Sequence, residues 1–199
     1  VKCVVAPKVP NNAASLAAIR ISTPENCILN AKHPLPVATR HITGQLLPDV
    51  MFGCLSQVRT QAGDPLAVPA EGSSCLWNLF AMGGAGRVDA EPERLANAHA
   101  FNVMSFHSGG AGARAGKDGL SATAFPSGVR NVPIEITEAG SPIIVWRKEF
   151  RTDSGGAGYH RGGLGQVMEV DTLDTAPFAI SANYDRVLFP PRGRDGGQD

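Results

Sequence analysis

Residues 143–170 carry the pattern that decides the fold: Ile143-Ile144-Val145-Trp146-Arg147-Lys148-Glu149-Phe150, a glycine loop from Ser154 to Gly165, then Val167-Met168-Glu169-Val170. Ile143 to Trp146 is apolar in the manner of a buried strand and runs on to Phe150. Val167, Met168 and Val170 predict a second strand, and Phe178 to Ile180 a third. Upstream, Ala98 to Phe106 reads as a strand with Phe101, Val103 and Ser105 on one side, opening onto a first glycine loop from Gly109 to Gly119. Val132, Ile134 and Ile136 alternate with Pro133, Glu135 and Thr137, which predicts another strand. Short strands are expected at residues 1–5 and 19–21, and residues 69–90 read as loop.

One helix stands out. Leu47, Val50, Met51, Cys54, Leu55 and Val58 share one apolar face, predicting a helix near residues 47–59. Pro48 then fits the first turn, and Asp49 complements the positive helix end. A start near His41 instead would place Pro48 in the interior and kink the helix. Strands outnumber helices, so the expected class is α+β: a β-rich mixed sheet, one main helix and long glycine loops.

Composition narrows the function classes. Eighteen basic against eighteen acidic residues leave no basic excess, against nucleic-acid or membrane-surface binding. No apolar run approaches the ~20 residues that span a bilayer. Gly and Pro number 23 and 15, a loop-rich composition, while 43% hydrophobic residues are enough for a folded chain. Cys3, Cys27, Cys54 and Cys75 form no C-x-x-C pair, so the thiols are expected reduced, Cys54 in the core, and the protein cytoplasmic. The first residues resemble no signal peptide.

The glycine loops fail two nucleotide tests. A P-loop needs G-x-x-x-x-G-K-[ST], but Asp118 follows Gly116-Lys117 and Ala111 stands where the first glycine belongs. Gly110, Gly112 and Gly116 space as G-x-G-x-x-x-G, one residue too long for a dinucleotide fingerprint. No G-x-S-x-G and no H-E-x-x-H is present. Tight turns and close backbone packing are the plainer reading of the glycines. His107, at a strand end opening a glycine loop, is the most interesting histidine. Glu135 and Glu138, three apart on a strand, face opposite ways and form no simple dyad. His107, Asp118, Glu135 and Arg161 are the candidate site residues, each at a strand end or in a glycine loop where polar groups can converge on a ligand. Turn histidines and solvated charges are the bland alternative.

Longer words in the chain resemble the hydantoinase B/oxoprolinase family. They are Asn11-Asn12-Ala13-Ala14-Ser15, Pro24-Glu25-Asn26-Cys27-Ile28-Leu29-Asn30, Pro36-Val37-Ala38-Thr39-Arg40-His41, Pro69-Ala70-Glu71-Gly72, Gly116-Lys117-Asp118-Gly119, Asn131-Val132-Pro133-Ile134-Glu135 and the stretch from Asp153 to Gly165. Phe125-Pro126-Ser127-Gly128-Val129-Arg130-Asn131 looks more like hydantoinase B than like the fused 5-oxoprolinases. The resemblance implies part of the B subunit of an ATP-dependent cyclic amidohydrolase. A hydantoinase A-like partner would bind ATP and magnesium and activate a small cyclic amide. Acetone and acetophenone carboxylases, which share the subunit plan, and a docking or pocket-shaping module without chemistry are the alternatives. The family's metal words, T-H-x-x-D and H-H-x-D-x-G-G, are absent, so a divalent metal belongs to a missing N-terminal part and no cofactor is assigned to residues 1–199. The whole chain is expected to be the C-terminal portion of such a subunit, truncated at both ends and inactive alone.

Overall fold

A computed structural model describes residues 1–37, 40–72, 79–86, 99–126, 131–173 and 178–199. The chain divides into two compact units, Val1–Pro69 and Ala70–Asp199. The class is α+β, as expected.

The first unit is helical. Residues 1–5, expected as a strand, instead hold the one-turn helix α1 (Lys2–Val5). Its bonds are local, with Val5 N donating to Val1 O at 3.0 Å and Ala6 N to Lys2 O at 2.8 Å. α2 (Ala13–Leu16) begins at a capping box: Asn12 Oδ1 accepts from Ser15 N at 2.9 Å, and Ser15 Oγ from Asn12 N at 3.2 Å. The strand expected at 19–21 does not form, and Ile21 is 87% exposed.

α3 (Arg40–Leu55) is the main helix, starting seven residues before the predicted 47–59 and ending earlier. Pro48 is therefore interior. Its missing N–H and its ring both bear on the carbonyl of residue 44, which is glycine, and a Cβ placed on Gly44 would meet nothing within 4 Å. The buried residues are Gln45, Asp49 and Phe52, spaced 4 and 3 apart on one face. The expected inward face is turned outward: Leu47, Val50 and Met51 are exposed, and so is Cys54, which was expected in the core.

Among the described residues, the second unit carries all five strands. β1 (Leu79–Gly86) lies between β2 (His99–Phe106) and β5 (Phe178–Asn183), antiparallel to both. β3 (Ile143–Phe150) and β4 (Gln166–Thr172) form a second antiparallel pair, so the single mixed sheet of the sequence reading is replaced by two antiparallel ones. The register skips Trp146, between the pairs Val145–Val170 and Arg147–Glu169, a bulge that leaves Trp146 exposed. Met82 of β1 and Ile143 of β3 are each 1% exposed and pack with Phe101, Val103, Val145, Met168 and Val170, joining the two sheets.

Two further expectations fail for local reasons. β1 falls inside the stretch read as loop, because Gly83, Gly84 and Gly86 depress strand propensity; pairing on both edges overrides it. The strand predicted at 132–136 is the helix α4 (Ile134–Ala139), entered from Pro133 and left at Gly140, with Glu135 in its first turn. Alternation over five residues is too short to outweigh those end signals, and Ile136 is 62% exposed.

The glycine loops pack backbone on backbone. A Cβ placed on Gly110 would stand under 3.0 Å from the Gly163 carbonyl oxygen, and one on Gly163 equally close to that of Leu120. As at the axis of collagen, only glycine fits. We expect Gly163→Ala to cost more than about 3 kcal/mol, the upper range for overpacking. Gly44→Ala, in an open helix position, is expected to stabilise by roughly 0.5–1 kcal/mol. Urea denaturation of both variants checks the contrast.

Candidate functional site

The site grows from four stretches brought together by backbone hydrogen bonds within the second unit. Ala70 N donates to Ala113 O at 2.8 Å, Ala111 N to Leu120 O at 2.9 Å, and Gly163 N to Ala111 O at 2.9 Å. Gln198 N donates to Ala157 O at 2.8 Å, tying the C-terminal stretch to the second glycine loop. The glycine N–H groups at 119, 162 and 163 all donate to backbone carbonyls. They are therefore spent on packing the chain, not presented to an anion.

Asp118 latches the two loops. Its Oδ1 accepts from Arg161 N at 3.0 Å and lies 3.5 Å from His160 Nδ1, while Gly119 N donates back to Arg161 O at 2.7 Å. The Asp118 carbonyl accepts from Arg114 Nη2 at 3.1 Å. Two of the four candidates, Asp118 and Arg161, are thus joined, but through a main-chain N–H and not through a side-chain pair.

His107 lies elsewhere, half-buried after β2. Its Nε2 is 3.1 Å from the Gln166 carbonyl, and the Gln166 side chain donates to Ser108 O at 2.7 Å. A carbonyl only accepts, so Nε2 carries the hydrogen and Nδ1 is the basic nitrogen. The Tyr184 ring meets His107 edge-on, centroids 6.0 Å apart. Burial pushes the His107 pKa below the usual 6.5; the Gln166 bond opposes this and the Lys148 charge adds to it. Glu135 stands exposed on α4, apart from these groups. Its neighbour Glu138 accepts from Val145 N at 2.8 Å.

The strongest polar constellation was missed by the sequence reading. Glu71 is 7% exposed. Its Oε1 accepts from Arg192 Nε at 3.1 Å and Nη2 at 2.7 Å, and its Oε2 from Arg186 Nη1 at 3.0 Å and the Arg192 main-chain N at 3.2 Å. Burial raises the Glu71 pKa, but the Arg192 hydrogen bonds and the charges of Arg186 and Arg192 outweigh it, leaving the carboxyl below its ordinary 4.5. The available signal was the word Pro69-Ala70-Glu71-Gly72, which carries no hint of arginines 115 and 121 residues away.

Both glycine loops and the C-terminal stretch line a cleft of about 110 Å³, with Glu71, His160, Arg192 and Arg194 among its side chains. That is well under the ~300–1,000 Å³ of ordinary small-molecule pockets. His107, Asp118, Glu135 and Arg161 are not in its lining. The first unit has an open hollow of about 500 Å³ lined in part by Cys27, Ile28, Leu35, Pro36 and Arg40. Among the described residues no three of His, Cys, Asp or Glu converge as metal ligands. The divalent metal implied by the resemblance is therefore not fitted by them. Cys3, Cys27 and Cys54 are free thiols, and Cys75 lies outside the described residues. No helix among the described residues is long and apolar enough to cross a membrane.

The whole chain, residues 1–199, matches the family model for hydantoinase B/oxoprolinase. The chain belongs to that family. It is 30% identical over 191 residues to a proposed B subunit of a D-/L-hydantoinase from Pseudomonas sp. (strain NS671), covering 96% of this chain and 29% of the relative. It is 26% identical to the beta subunit of the caprolactamase of Pseudomonas jessenii, over 88% of this chain and 29% of that protein. The 5-oxoprolinase 1 of Arabidopsis thaliana is 26% identical over 100% of this chain, which is 14% of the plant protein. A chain of nucleotide-free acetone carboxylase is similar in structure at 25% identity and TM-score 0.47, over 58% of this chain and 15% of that one. The chain thus spans less than a third of the length of the curated relatives it matches.

Two outcomes test the electrostatics. Glu71→Gln keeps the shape and removes the charge, leaving two arginines facing a neutral amide; we expect a loss of about 2–3 kcal/mol. Because the folded pKa lies below 4.5, the stabilisation is complete above 4.5 and is lost as pH falls through the folded value. The wild-type advantage over Glu71→Gln in urea midpoint should therefore hold at neutral pH and narrow in acid. His107 should titrate below 6.5 by NMR, with Nε2 protonated in the neutral ring.

Proposed function

We propose that this chain forms part of the B subunit of an ATP-dependent cyclic amidohydrolase, acting on a cyclic amide that a hydantoinase A-like subunit activates with ATP. The observation that carries the reading is the family match over residues 1–199, joined to relatives named for hydantoins, caprolactam and 5-oxoproline. Each of those compounds holds an N–C=O group closed into a ring. An amide carbon resists water because nitrogen donates into the carbonyl; phosphorylating the oxygen removes that resistance and provides a leaving group. ATP supplies the phosphoryl group, and no step of it is assigned to residues of this chain.

Within that subunit the glycine loops and the C-terminal stretch of the second unit act as scaffold. The unit's two best-placed carboxylates, Glu71 and Asp118, are engaged with arginines and with a main-chain N–H, so neither is available as a general base in this arrangement. Their role is to hold the glycine loops and the C-terminal stretch in place beside the pocket. His107, neutral near pH 7, keeps one basic nitrogen and is the group best suited to proton transfer.

The test is turnover by the full-length subunit with its ATP-binding companion, assayed for ring opening and phosphate release on hydantoin, 5-oxoproline and caprolactam. Ring opening that needs ATP is expected. Bicarbonate-dependent consumption of a ketone, with every cyclic amide inert, would overturn the reading in favour of a carboxylase. His107→Gln is expected to lower kcat by ten-fold or more with unchanged thermal stability.

A further inference from the structure

The end of β2 and the start of β4 are tied twice through one residue. The Gln166 carbonyl accepts from His107 Nε2 at 3.1 Å, and the Gln166 side-chain amide donates to the Ser108 carbonyl at 2.7 Å. Gln166 thus holds the His107 ring with its main chain and the next residue's main chain with its side chain. The two bonds close a loop of atoms, so the ring is located at two points.

Each side of this clasp has its own anchorage. Gln166 pairs with Phe150 in the β3–β4 ladder. Beside it, Gly165 N donates to Ser154 Oγ at 2.9 Å and Gly165 O accepts from Arg151 N at 2.9 Å. Across from it, Ser108 is 5% exposed, and the Gly109 carbonyl accepts from Thr123 N at 2.9 Å. The amide orientation is fixed as well, because a flipped amide would set its oxygen against the Ser108 oxygen, two acceptors with no hydrogen between them.

The partner is also of a particular kind. A carboxylate at this place would hold the imidazolium by its charge. A neutral carbonyl aligns the ring without doing so. Of the other groups around the ring, Tyr184 meets it edge-on and Lys148 acts on it through its positive charge. The tautomer is set at Gln166. Any residue at 166 would supply the carbonyl. What glutamine adds is the amide that fixes where the β2 end, and with it the ring, stands relative to that carbonyl.

We propose that Gln166 is the positioning residue of His107, keeping the ring hydrogen on Nε2 and leaving Nδ1 as the nitrogen that takes a proton during ring opening. This rests on the proton-transfer role given to His107 above. A base with an unfixed tautomer offers the wrong nitrogen for part of the time, and a further group that orients it is the general remedy.

The test uses the full-length subunit, with its ATP-binding companion for kinetics and with 15N-labelled histidine for NMR. Gln166→Met keeps the length of the side chain and removes the donor. Gln166→Glu keeps the shape and sets a second acceptor against the Ser108 carbonyl. In both, neutral His107 should pass from a single Nε2–H tautomer to a mixture, and kcat should fall about five-fold with KM within about two-fold of wild type. In a His107→Gln background neither change should lower kcat further, since Gln166 acts through the ring. A single Nε2–H tautomer retained in both variants overturns the proposal. So does an equal loss of kcat in the His107→Gln background, which would make the residue a purely structural one. If His107→Gln alone leaves kcat unchanged, or if no cyclic amide is opened, the functional reading fails instead, and the tautomer measurement still decides whether Gln166 holds the ring.

Discussion

The Gly163 backbone lies where a β-carbon on Gly110 would stand, and the Leu120 carbonyl lies where one on Gly163 would stand, so each close approach requires glycine. The rest of the second unit depends on these approaches. They let Gly163 N reach Ala111 O, which aligns the two glycine loops, and they set Asp118 opposite the main chain of Arg161. The same stack holds the Ala70 end, through Ala113, in the position from which Glu71 meets Arg186 and Arg192. Side chains then decorate an arrangement that the main chain has already made. The apolar contacts around Met82 and Ile143 join the two sheets but do not build the loops.

Electrostatics completes what the backbone begins. A carboxylate as buried as Glu71 would be costly without partners. Three guanidinium donors and one main-chain N–H satisfy both of its oxygens. The arrangement draws together residues 71, 186 and 192, which enclose most of the unit in sequence. Asp118 does the same on a smaller scale between residues 118 and 161.

Much of this was legible in the chain and some was not, for physical reasons. β2 was readable from Phe101, Val103 and Ser105 on one side, β3 from the continuous apolar run Ile143 to Trp146, and β4 and β5 from their short apolar clusters. β1 was hidden by Gly83, Gly84 and Gly86, whose placement in a central strand is decided by neighbours on both edges. The helix was visible, yet its buried face was not: Gln45 and Asp49 lie inward while Val50 and Met51 do not, the reverse of what hydropathy alone dictates. At the site, plain backbone packing was among the readings the glycines allowed. Asp118 and Arg161 were singled out from their place in the glycine loops, and the fold joins them. Glu71 could not be found as a site residue, since nothing near it in sequence announces the arginines it holds.

A unit assembled this way should also respond to temperature in its own manner. Exposing hydrocarbon raises the heat capacity of unfolding, while exposing peptide groups lowers it. The glycine stack buries main chain against main chain and contributes mostly the second kind of surface. Met82 and Ile143 are the fully buried large apolar side chains among the described residues. On the burial of the described residues, the heat-capacity increment per residue is expected to sit low, with a correspondingly broad and flat curve of stability against temperature. Holding shape across a wide thermal range then comes from the omission of side chains, not from the enlargement of a core.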